Sequence, residues 1–335
     1  MKKQLQINYE KIISLENLFA AWQEFIYGKR SKKDVQEFGS HVTDNIVQLH
    51  HDLANFFYTH GGYKAFSISD PKPRNIHKAT VRDRVLHHAI YRQLYPFFDR
   101  TFIADSHSCR LGKGMHKALT RFRRFGLQVS KNNIRTVWVL KCDIKRFFAS
   151  IDHAVLLDIL ARYIPDIGVM LLLQNIIESF TSRPEVGLPL GNLTSQLFCN
   201  VYMNELDQFV KHKLKTKYYI RYADDFVFMS EDKAWLVSLL PRISEFLTER
   251  LKLSLHPNKV FIKTFASGVD FLGWVHFPHH KVLRRTTHRR MFKRMYQYPK
   301  GETLQSYLGF MSHGSTHKVR QELVNLYGLV EQNYV

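Results

Sequence analysis

The sequence has few cysteines and no long apolar run, and both absences restrict what the protein can be. Its 335 residues include only 3 cysteines at wide spacing, so we expect reduced thiols, not a disulfide framework or a zinc knuckle. No stretch of about eighteen apolar residues is present, and neither a signal-peptide segment nor a lipidation motif is found. These absences predict a cytoplasmic protein without a membrane partner.

Acidic residues are also scarce relative to basic ones. The chain has 29 Asp and Glu against 49 Lys and Arg, which gives a formal charge of +20 at pH 7. Such an excess repels itself unless an acidic ligand offsets it, so nucleic acid is the expected partner. The 45% apolar and 13% aromatic content indicates a folded chain. The 18 histidines include adjacent pairs whose side chains diverge, so we do not expect a zinc site.

No repeat or low-complexity linker divides the chain, so the expected elements rest on hydrophobic pattern. Helical spacing ends at Gly61-Gly62, and two strand-like runs then flank a proline-bounded turn. The order of elements predicts an α+β fold. Helical pattern covers 8–60, 81–98, 153–180, 192–215, 235–251 and 283–335, and strand pattern covers 63–78, 136–144, 218–229 and 253–277.

Three aspartates stand out near predicted strand ends. Asp224 and Asp225 join two β-prone runs, and Asp143 lies at the end of the strand that we expect over Thr136 to Ile144. Carboxylates among aromatic neighbours are costly without a compensating cation, and Mg²⁺ prefers hard oxygen ligands. Two such ions would serve an in-line phosphoryl displacement. For the Asp224-Asp225 pair by itself, a solvated turn remains an alternative.

Motifs around these aspartates resemble those of reverse transcriptases, over about residues 60 to 315. Tyr222-Ala223-Asp224-Asp225 is similar to the Tyr-x-Asp-Asp signature of that family, and the other motifs follow in the family's order. They are Lys72-Pro73-Arg74, Ser108 to Gly114, Lys141 to Asp152, Gly187 to Gln196, Leu253 to Lys259 and Phe271 to Trp274.

This resemblance implies a role for each matching residue. Asp143, Asp224 and Asp225 match the metal ligands, for two Mg²⁺ ions that Mn²⁺ can replace, and Lys259 matches a general acid for the departing pyrophosphate. The implied nucleotide contacts are Lys72, Arg74, Arg110, Phe148 and Leu190, and the implied primer grip is Phe271, Leu272, Gly273 and Trp274. Phe148 matches the bulky residue that excludes a 2′-hydroxyl, and a phenylalanine of the core is the alternative there. For Lys72, Arg74 and Arg110, a solvated surface cation is the alternative.

Two substitutions point to a type within the family. Pro189-Leu190-Gly191 and Ser195-Gln196 depart from the Pro-Gln-Gly and Ser-Pro of group II intron and retron enzymes, and they resemble reverse transcriptases of diversity-generating retroelements. This resemblance implies a bacterial or phage-encoded enzyme, error-prone copying of a structured non-coding RNA into cDNA from dNTPs, and a small basic accessory protein. A compact defence-associated reverse transcriptase against phage is the alternative, and a non-catalytic RNA-binding protein is a remote one.

The implied architecture is a right-hand polymerase with a ferredoxin-like palm. We expect an N-terminal helical extension over 1–60, fingers over 61–140, a palm over 141–279 with about 165–200 partly fingers, and a short helical thumb over 280–335. In the thumb, Arg289, Arg290 and Arg294 recur at helical spacing around apolar residues, which predicts a face that follows a nucleic-acid backbone. A solvated basic helix is the alternative.

Overall fold

Short helices form the N-terminal part of the chain, as the sequence predicts. The computed structural model describes residues 4–68 and 73–332. Asn8 and Ser14 cap the first two helices, because their side chains accept hydrogen bonds from the backbone N–H groups of Lys11 and Asn17. The helices are α1 (Tyr9–Ile13), α2 (Leu15–Ile26), α3 (Lys33–Gly39) and α4 (Val42–Ala54).

A two-stranded hairpin and two longer helices follow. The hairpin consists of β1 (Tyr63–Ile68) and β2 (Arg74–Ala79), and α5 (Val81–Asp99) comes directly after it. These three elements confirm the predicted pattern. The second helix, α6 (Met115–Val129), was not predicted, although its buried Leu119, Phe122 and Val129 follow helical spacing.

A four-stranded antiparallel sheet lies at the centre of the molecule. It consists of β3 (Trp138–Asp143), β4 (Tyr219–Tyr222), β5 (Asp225–Ser230) and β6 (Phe261–Thr264), in the order β4-β5-β3-β6. Both faces of β3 are covered, because Leu140 belongs to one hydrophobic cluster and Val139 to another. The face of β3 that carries Asp143 is therefore apolar at Val139.

Helices pack around this sheet. The helical pattern over 153–180 divides into two helices, since Pro165 interrupts it and Asp166 caps the second through a 2.9 Å hydrogen bond from the Val169 N–H. A short 3₁₀ turn, Phe147–Ser150, follows β3, and a π-helical turn, Phe209–Lys213, directly follows the helix that ends at Gln208. The helices are α7 (His153–Ala161), α8 (Ile167–Glu178), α9 (Leu193–Gln208) and α10 (Lys233–Leu251).

The C-terminal part is a small sheet followed by three helices. Gly314, between the last two helices, lies so close to Trp274 that an added Cβ would come within 2.0 Å of the indole ring. A glycine is therefore required at this contact. The elements are β7 (Val269–Phe271), β8 (Trp274–His276), β9 (Lys281–Leu283), α11 (Arg285–Gln297), α12 (Gly301–Met311) and α13 (His317–Gln332).

The observed elements confirm the predicted α+β class. In the described ranges, every helix is too short or too polar to cross a bilayer.

Candidate active site

The sheet register brings the three aspartates to one end of β3 and β5. Asp143 lies directly opposite Asp225, and Asp224 lies in the two-residue turn between the paired residues Tyr222 and Asp225. Two carboxylates directly across an antiparallel pair repel each other unless a cation lies between or beside them. So short a turn leaves one register for the hairpin of β4 and β5, whereas the position of Asp143 opposite Asp225 depends on the long-range pairing of β3 with β5.

Burial disfavours the charged forms of two of these carboxyl groups. It raises the pKa of Asp225 to about 6, with the nearby Asp143 and Asp224 adding to the shift and Lys141 opposing it. Burial and the charge of Asp143 also raise the pKa of Asp224, against the opposing charges of Lys259 and Arg74. The cluster therefore favours the binding of positive charge.

Two lysines supply positive charge to the cluster. The Lys259 ammonium lies 2.9 Å from Asp143 Oδ1, and the Lys141 ammonium lies 3.0 Å from Asp225 Oδ2. Lys259 is 44% exposed, whereas Lys141 is 12% exposed. Lys259 was a predicted site residue, whereas Lys141 was not. Its place on the Asp143 face of β3 was a signal that could have identified it.

The donor set fits a divalent cation. Asp225 Oδ1 is buried without a hydrogen-bond partner, which leaves a carboxylate oxygen for a further ligand. Hard oxygen donors of this kind suit Mg²⁺, which needs only one or two carboxylates when substrate phosphates complete its shell. In the part of the chain that the structure describes, no group of three or more His, Cys, Asp or Glu side chains is arranged to hold a metal ion by itself, so other ligands, such as substrate phosphates, would have to complete the shell.

A buried ion pair that the sequence analysis missed supports the turn from beneath. Arg221 and Asp207 are fully buried and make two hydrogen bonds, of 2.8 and 2.6 Å. The Arg221 guanidinium also donates to the carbonyl of Ala223 at 3.0 Å. Ala223 has a φ of +56°, a left-handed conformation that costs an alanine roughly 1–2 kcal/mol. We infer that this hydrogen bond stabilises the turn that carries Asp224.

The predicted nucleotide contacts lie on three separate elements. Arg74 is the first residue of β2, and its charge is close enough to oppose the rise in the pKa of Asp224. Lys72 lies outside the described residues. Phe148 is half-buried, whereas its neighbour Phe147 is buried in the core. The backbone N–H of Leu188 donates to the Phe148 carbonyl at 2.8 Å, which brings the segment that leads to Leu190 next to the backbone of Phe148.

Leu190 lies where that loop meets the β1–β2 hairpin. Its carbonyl accepts a 3.0 Å hydrogen bond from the His77 N–H of β2, and its side chain is half-buried. The adjacent Gly191 has a φ of +106°, and an added Cβ there would approach Ile76 to 2.7 Å. The loop can therefore pack this closely against β2 only with glycine.

The structure corrects the expectation for Arg110. Its side chain is 6% exposed and pairs with Asp99 at 2.7 Å. The guanidinium also donates to the carbonyls of Asp99, Ile103 and Ser106. Because these donors are engaged within the fold, Arg110 stabilises this loop and is not available as a triphosphate contact.

The four residues of the predicted primer grip form one hairpin with two environments. Phe271 and Trp274 pair across β7 and β8 and are fully buried, while Leu272 and Gly273 form the turn with φ values of +50° and +84°. Phe122 of α6 stacks on Phe271 with ring centroids 4.9 Å apart. Only the turn can therefore offer side-chain surface to a ligand.

The predicted thumb residues lie on α11. Arg289 and Arg294 are exposed, Arg290 is half-buried, and Met291 and Met295 pack into the core. The helix therefore has a basic face and an apolar face, as its spacing predicts.

Comparison with known proteins identifies the family. Residues 68–276, more than half of the chain, match the family described as "Reverse transcriptase (RNA-dependent DNA polymerase)". Protein YkfC of Escherichia coli (strain K12) is 26% identical over 257 residues, which cover 65% of each chain. Group II intron-encoded protein LtrA of Lactococcus lactis subsp. cremoris is 23% identical over 275 residues, covering 61% of this chain and 44% of LtrA. The chain thus spans less than two thirds of the length of these relatives.

A solved structure shows the same fold. Apo telomerase from Candida tropicalis, truncated from its C-terminal domain, superimposes with a TM-score of 0.50 at 12% identity, covering 73% of this chain and 60% of that one. At this identity the likeness supports the fold and not the function. With a family match over residues 68–276 and this fold, the chain belongs to the reverse transcriptase (RNA-dependent DNA polymerase) family.

Proposed function

We propose that this protein is an RNA-directed DNA polymerase that copies an RNA template into cDNA from deoxynucleoside triphosphates. The observation that carries the proposal is the direct opposition of Asp143 and Asp225 at the end of the sheet, with Asp224 in the adjoining turn. The family generally uses divalent metal ions, and we assign two Mg²⁺ ions, replaceable by Mn²⁺, to these three carboxylates. When bound, the ions activate the primer 3′-hydroxyl and stabilise the leaving pyrophosphate.

The chain's own residues bind and orient the nucleotide. Arg74, with Lys72, would hold the triphosphate, since a guanidinium matches phosphate geometry. The Phe148 ring would lie beneath the sugar, where it leaves no room for a 2′-hydroxyl. Lys259 is exposed enough to leave Asp143 and protonate the departing pyrophosphate.

We further propose that the enzyme is of the diversity-generating retroelement type. The sequence pairs Pro189-Leu190-Gly191 with Ser195-Gln196, as that type does. Leucine offers no hydrogen-bond donor near the nascent base pair, which agrees with error-prone copying. The template would be a structured non-coding RNA, with a small basic accessory protein as a further partner. Sequencing the RNA and cDNA that copurify with the protein would separate this role from phage defence.

Primer extension with the Asp224→Asn variant tests the polymerase assignment. The substitution keeps the size of the side chain but removes the charge that balances the metal, so we expect DNA synthesis to fall at least about 1,000-fold, a loss of roughly 4 kcal/mol. The fold should survive, because burial already disfavours this charge. Rates on an RNA template with Mg²⁺ and dNTPs, together with thermal unfolding, provide the measurement.

Asp158→Asn is the matched control, because Asp158 is 77% exposed on α7 and lies outside the cluster. It should extend primers like the wild type. Substantial DNA synthesis by Asp224→Asn would remove Asp224 from the metal ligands. A wild type that binds RNA without extending any primer would favour the non-catalytic alternative.

A further inference from the structure

Lys141 lies next to the carboxylate cluster and is mostly buried. It is in the middle of β3, two residues before Asp143, and its ammonium pairs with Asp225 Oδ2 at 3.0 Å. On this face of the sheet Asp225 is diagonal to Lys141, since Lys141 pairs with Val227 and Asp143 with Asp225. Lys141 binds Oδ2 of Asp225, and the other oxygen, Oδ1, is buried without a hydrogen-bond partner. The lysine therefore determines which carboxylate oxygen is left for the cation.

The same ammonium also reaches a second sheet. It donates to the backbone carbonyl of Asp270 at 3.0 Å, and Asp270 is the central residue of β7. This strand leads into the turn at Leu272 and Gly273. Arg284 also binds this hairpin. Its guanidinium donates to Asp270 Oδ2 at 2.8 Å, and its backbone N–H donates to the Gly273 carbonyl at 3.1 Å. One cation thus connects Asp225 with the hairpin of the predicted primer grip.

A buried lysine could serve only to offset the charge of Asp225. Charge compensation requires one contact with the carboxylate, whereas this ammonium is shared with a carbonyl of a different sheet. Both contacts are at hydrogen-bond distance, and the ammonium lies 5.9 Å from the centroid of the Phe271 ring. The arrangement fixes distances as well as charge.

We propose that Lys141 is a positioning residue that holds the Asp225 carboxylate and the primer-grip hairpin in one frame, so that the primer 3′-end is presented to the metal-binding end of the sheet. This inference rests on the proposed polymerase function. The geometry predicts that loss of Lys141 displaces the primer end even when no divalent ion is bound.

The test compares Lys141→Met with Lys141→Arg and with Lys263→Met as a control. Lys263 lies on β6 of the same sheet and is exposed. Single-turnover nucleotide addition gives the maximal rate and the nucleotide Kd, and a 2-aminopurine at the primer 3′-end reports its environment in a metal-free complex. We expect Lys141→Met to slow the maximal rate about 30-fold, since a displacement near 1 Å can cost roughly 100-fold. The nucleotide Kd should change less than about threefold, and the 2-aminopurine signal should shift.

The arginine variant separates position from charge. Arginine keeps the charge, but its planar head cannot occupy the place of a compact ammonium, so we expect a rate between those of the wild type and the methionine variant and a smaller 2-aminopurine shift. Complete rescue by arginine would overturn the proposal in favour of charge compensation, and this comparison with the wild type stands even if Lys141→Met does not fold.

Two further outcomes would also overturn it. An unchanged rate in a folded Lys141→Met would show that the contacts are dispensable. A slower rate with an unchanged 2-aminopurine signal would restrict Lys141 to the carboxylate and remove the link to the primer.

A wild type that does not extend primers would refute the proposed function, and Lys263→Met should match an active wild type.

Discussion

The two carboxylate oxygens of Asp225 lie in different environments. Oδ2 pairs with Lys141, while Oδ1 is buried without a partner. A buried oxygen of this kind costs about 1–3 kcal/mol unless a ligand satisfies it. The residue is therefore poorly suited to stabilise the fold by itself and well suited to bind a cation. Function at this site depends on single side chains, and two of them permit specific tests.

Phe148→Ala should relax the selection of the sugar. The half-buried ring would be replaced by open space, so we expect ribonucleotide incorporation to rise relative to deoxynucleotide incorporation. Competing rNTP and dNTP incorporation on one RNA template gives the ratio. Phe147→Ala, in the core, should instead destabilise the protein by about 3–5 kcal/mol. A folded Phe148→Ala with unaltered selectivity would mean that the ring only packs against the core.

Leu190→Gln should lower the error frequency, mainly at template adenines. A glutamine amide can hydrogen-bond near the nascent pair, and a wrong partner would then leave polar groups unpaired, whereas an apolar contact separates similar shapes by only roughly 1–3 kcal/mol. Sequencing of cDNA made on one RNA template measures the difference. Leu171→Gln, at a 52% exposed leucine of α8, is the control. Identical error spectra in the wild type and Leu190→Gln would show that fidelity is determined elsewhere.

At the scale of elements, short turns carry the site residues. The turn at Ala223-Asp224 and the turn at Leu272-Gly273 both use left-handed backbone. The Arg221 guanidinium of the adjoining strand β4 donates to the Ala223 carbonyl, and the backbone N–H of Arg284 donates to the Gly273 carbonyl. Strained turns of this kind persist where the surrounding structure holds them. The neighbouring helix α11 has a simpler design, with one apolar and one basic face.

Reversing charge on α11 should weaken binding to nucleic acid of any sequence. Arg289, Lys293 and Arg294 are exposed, and we expect their joint replacement by Glu to reduce the slope of log affinity against log salt by about 2 to 3. Titrations of a template–primer duplex at several salt concentrations give the slope. The triple variant of Arg30, Lys32 and Lys33, also to Glu, makes the same change in net charge at the N-terminal helices. An equal effect from both variants would indicate a general field and not a contact by α11.

At the scale of the whole molecule, buried histidines make the fold sensitive to acid. Burial, with smaller effects from neighbouring cations, lowers the pKa of His87 and of His276 to about 3. The unfolded chain binds these protons near its ordinary pKa of 6.5, so unfolding takes up protons below that pH. Between pH 7 and 5 each histidine should therefore remove roughly 2 kcal/mol from the free energy of unfolding.

Asp225 acts in the opposite direction. Its pKa is raised to about 6, so the folded protein binds this proton at a higher pH than the unfolded chain does. Between pH 7 and 5 this should add about 1 kcal/mol to the free energy of unfolding. The net expectation is a less stable protein at pH 5, measured by urea unfolding at both pH values. His87→Gln and His276→Gln should each reduce the difference. Equal stability of the wild type at pH 7 and pH 5 would contradict the burial of neutral histidines.

The amino-acid sequence by itself determined the features that depend on local spacing. The strand that ends at Asp143, the hairpin that carries Asp224 and Asp225, and the amphipathic α11 all follow from alternation, helical period or turn chemistry over a few residues. The family was recognisable for the same reason, since its motifs are short and continuous. The pairing of Asp143 with Asp225 joins β3 to β5, two strands that lie far apart in the chain, so it was not determined at this local level.

Tertiary structure decided which distant elements meet. Lys141 and Asp270 are 129 residues apart, and Lys259 and Asp143 are 116 apart, so their contacts depend on how two sheets and a loop pack. The packing of α6 against Phe271 likewise depends on a neighbour far along the chain. The internal role of Arg110, in contrast, rests on partners at most 11 residues away, and what the motif could not show is that the loop folds back onto its own carbonyls. The sequence specifies the chemistry of each side chain, but packing determines its partner. The physical reason is that burial removes water from particular polar groups, which then need hydrogen-bond partners within the protein.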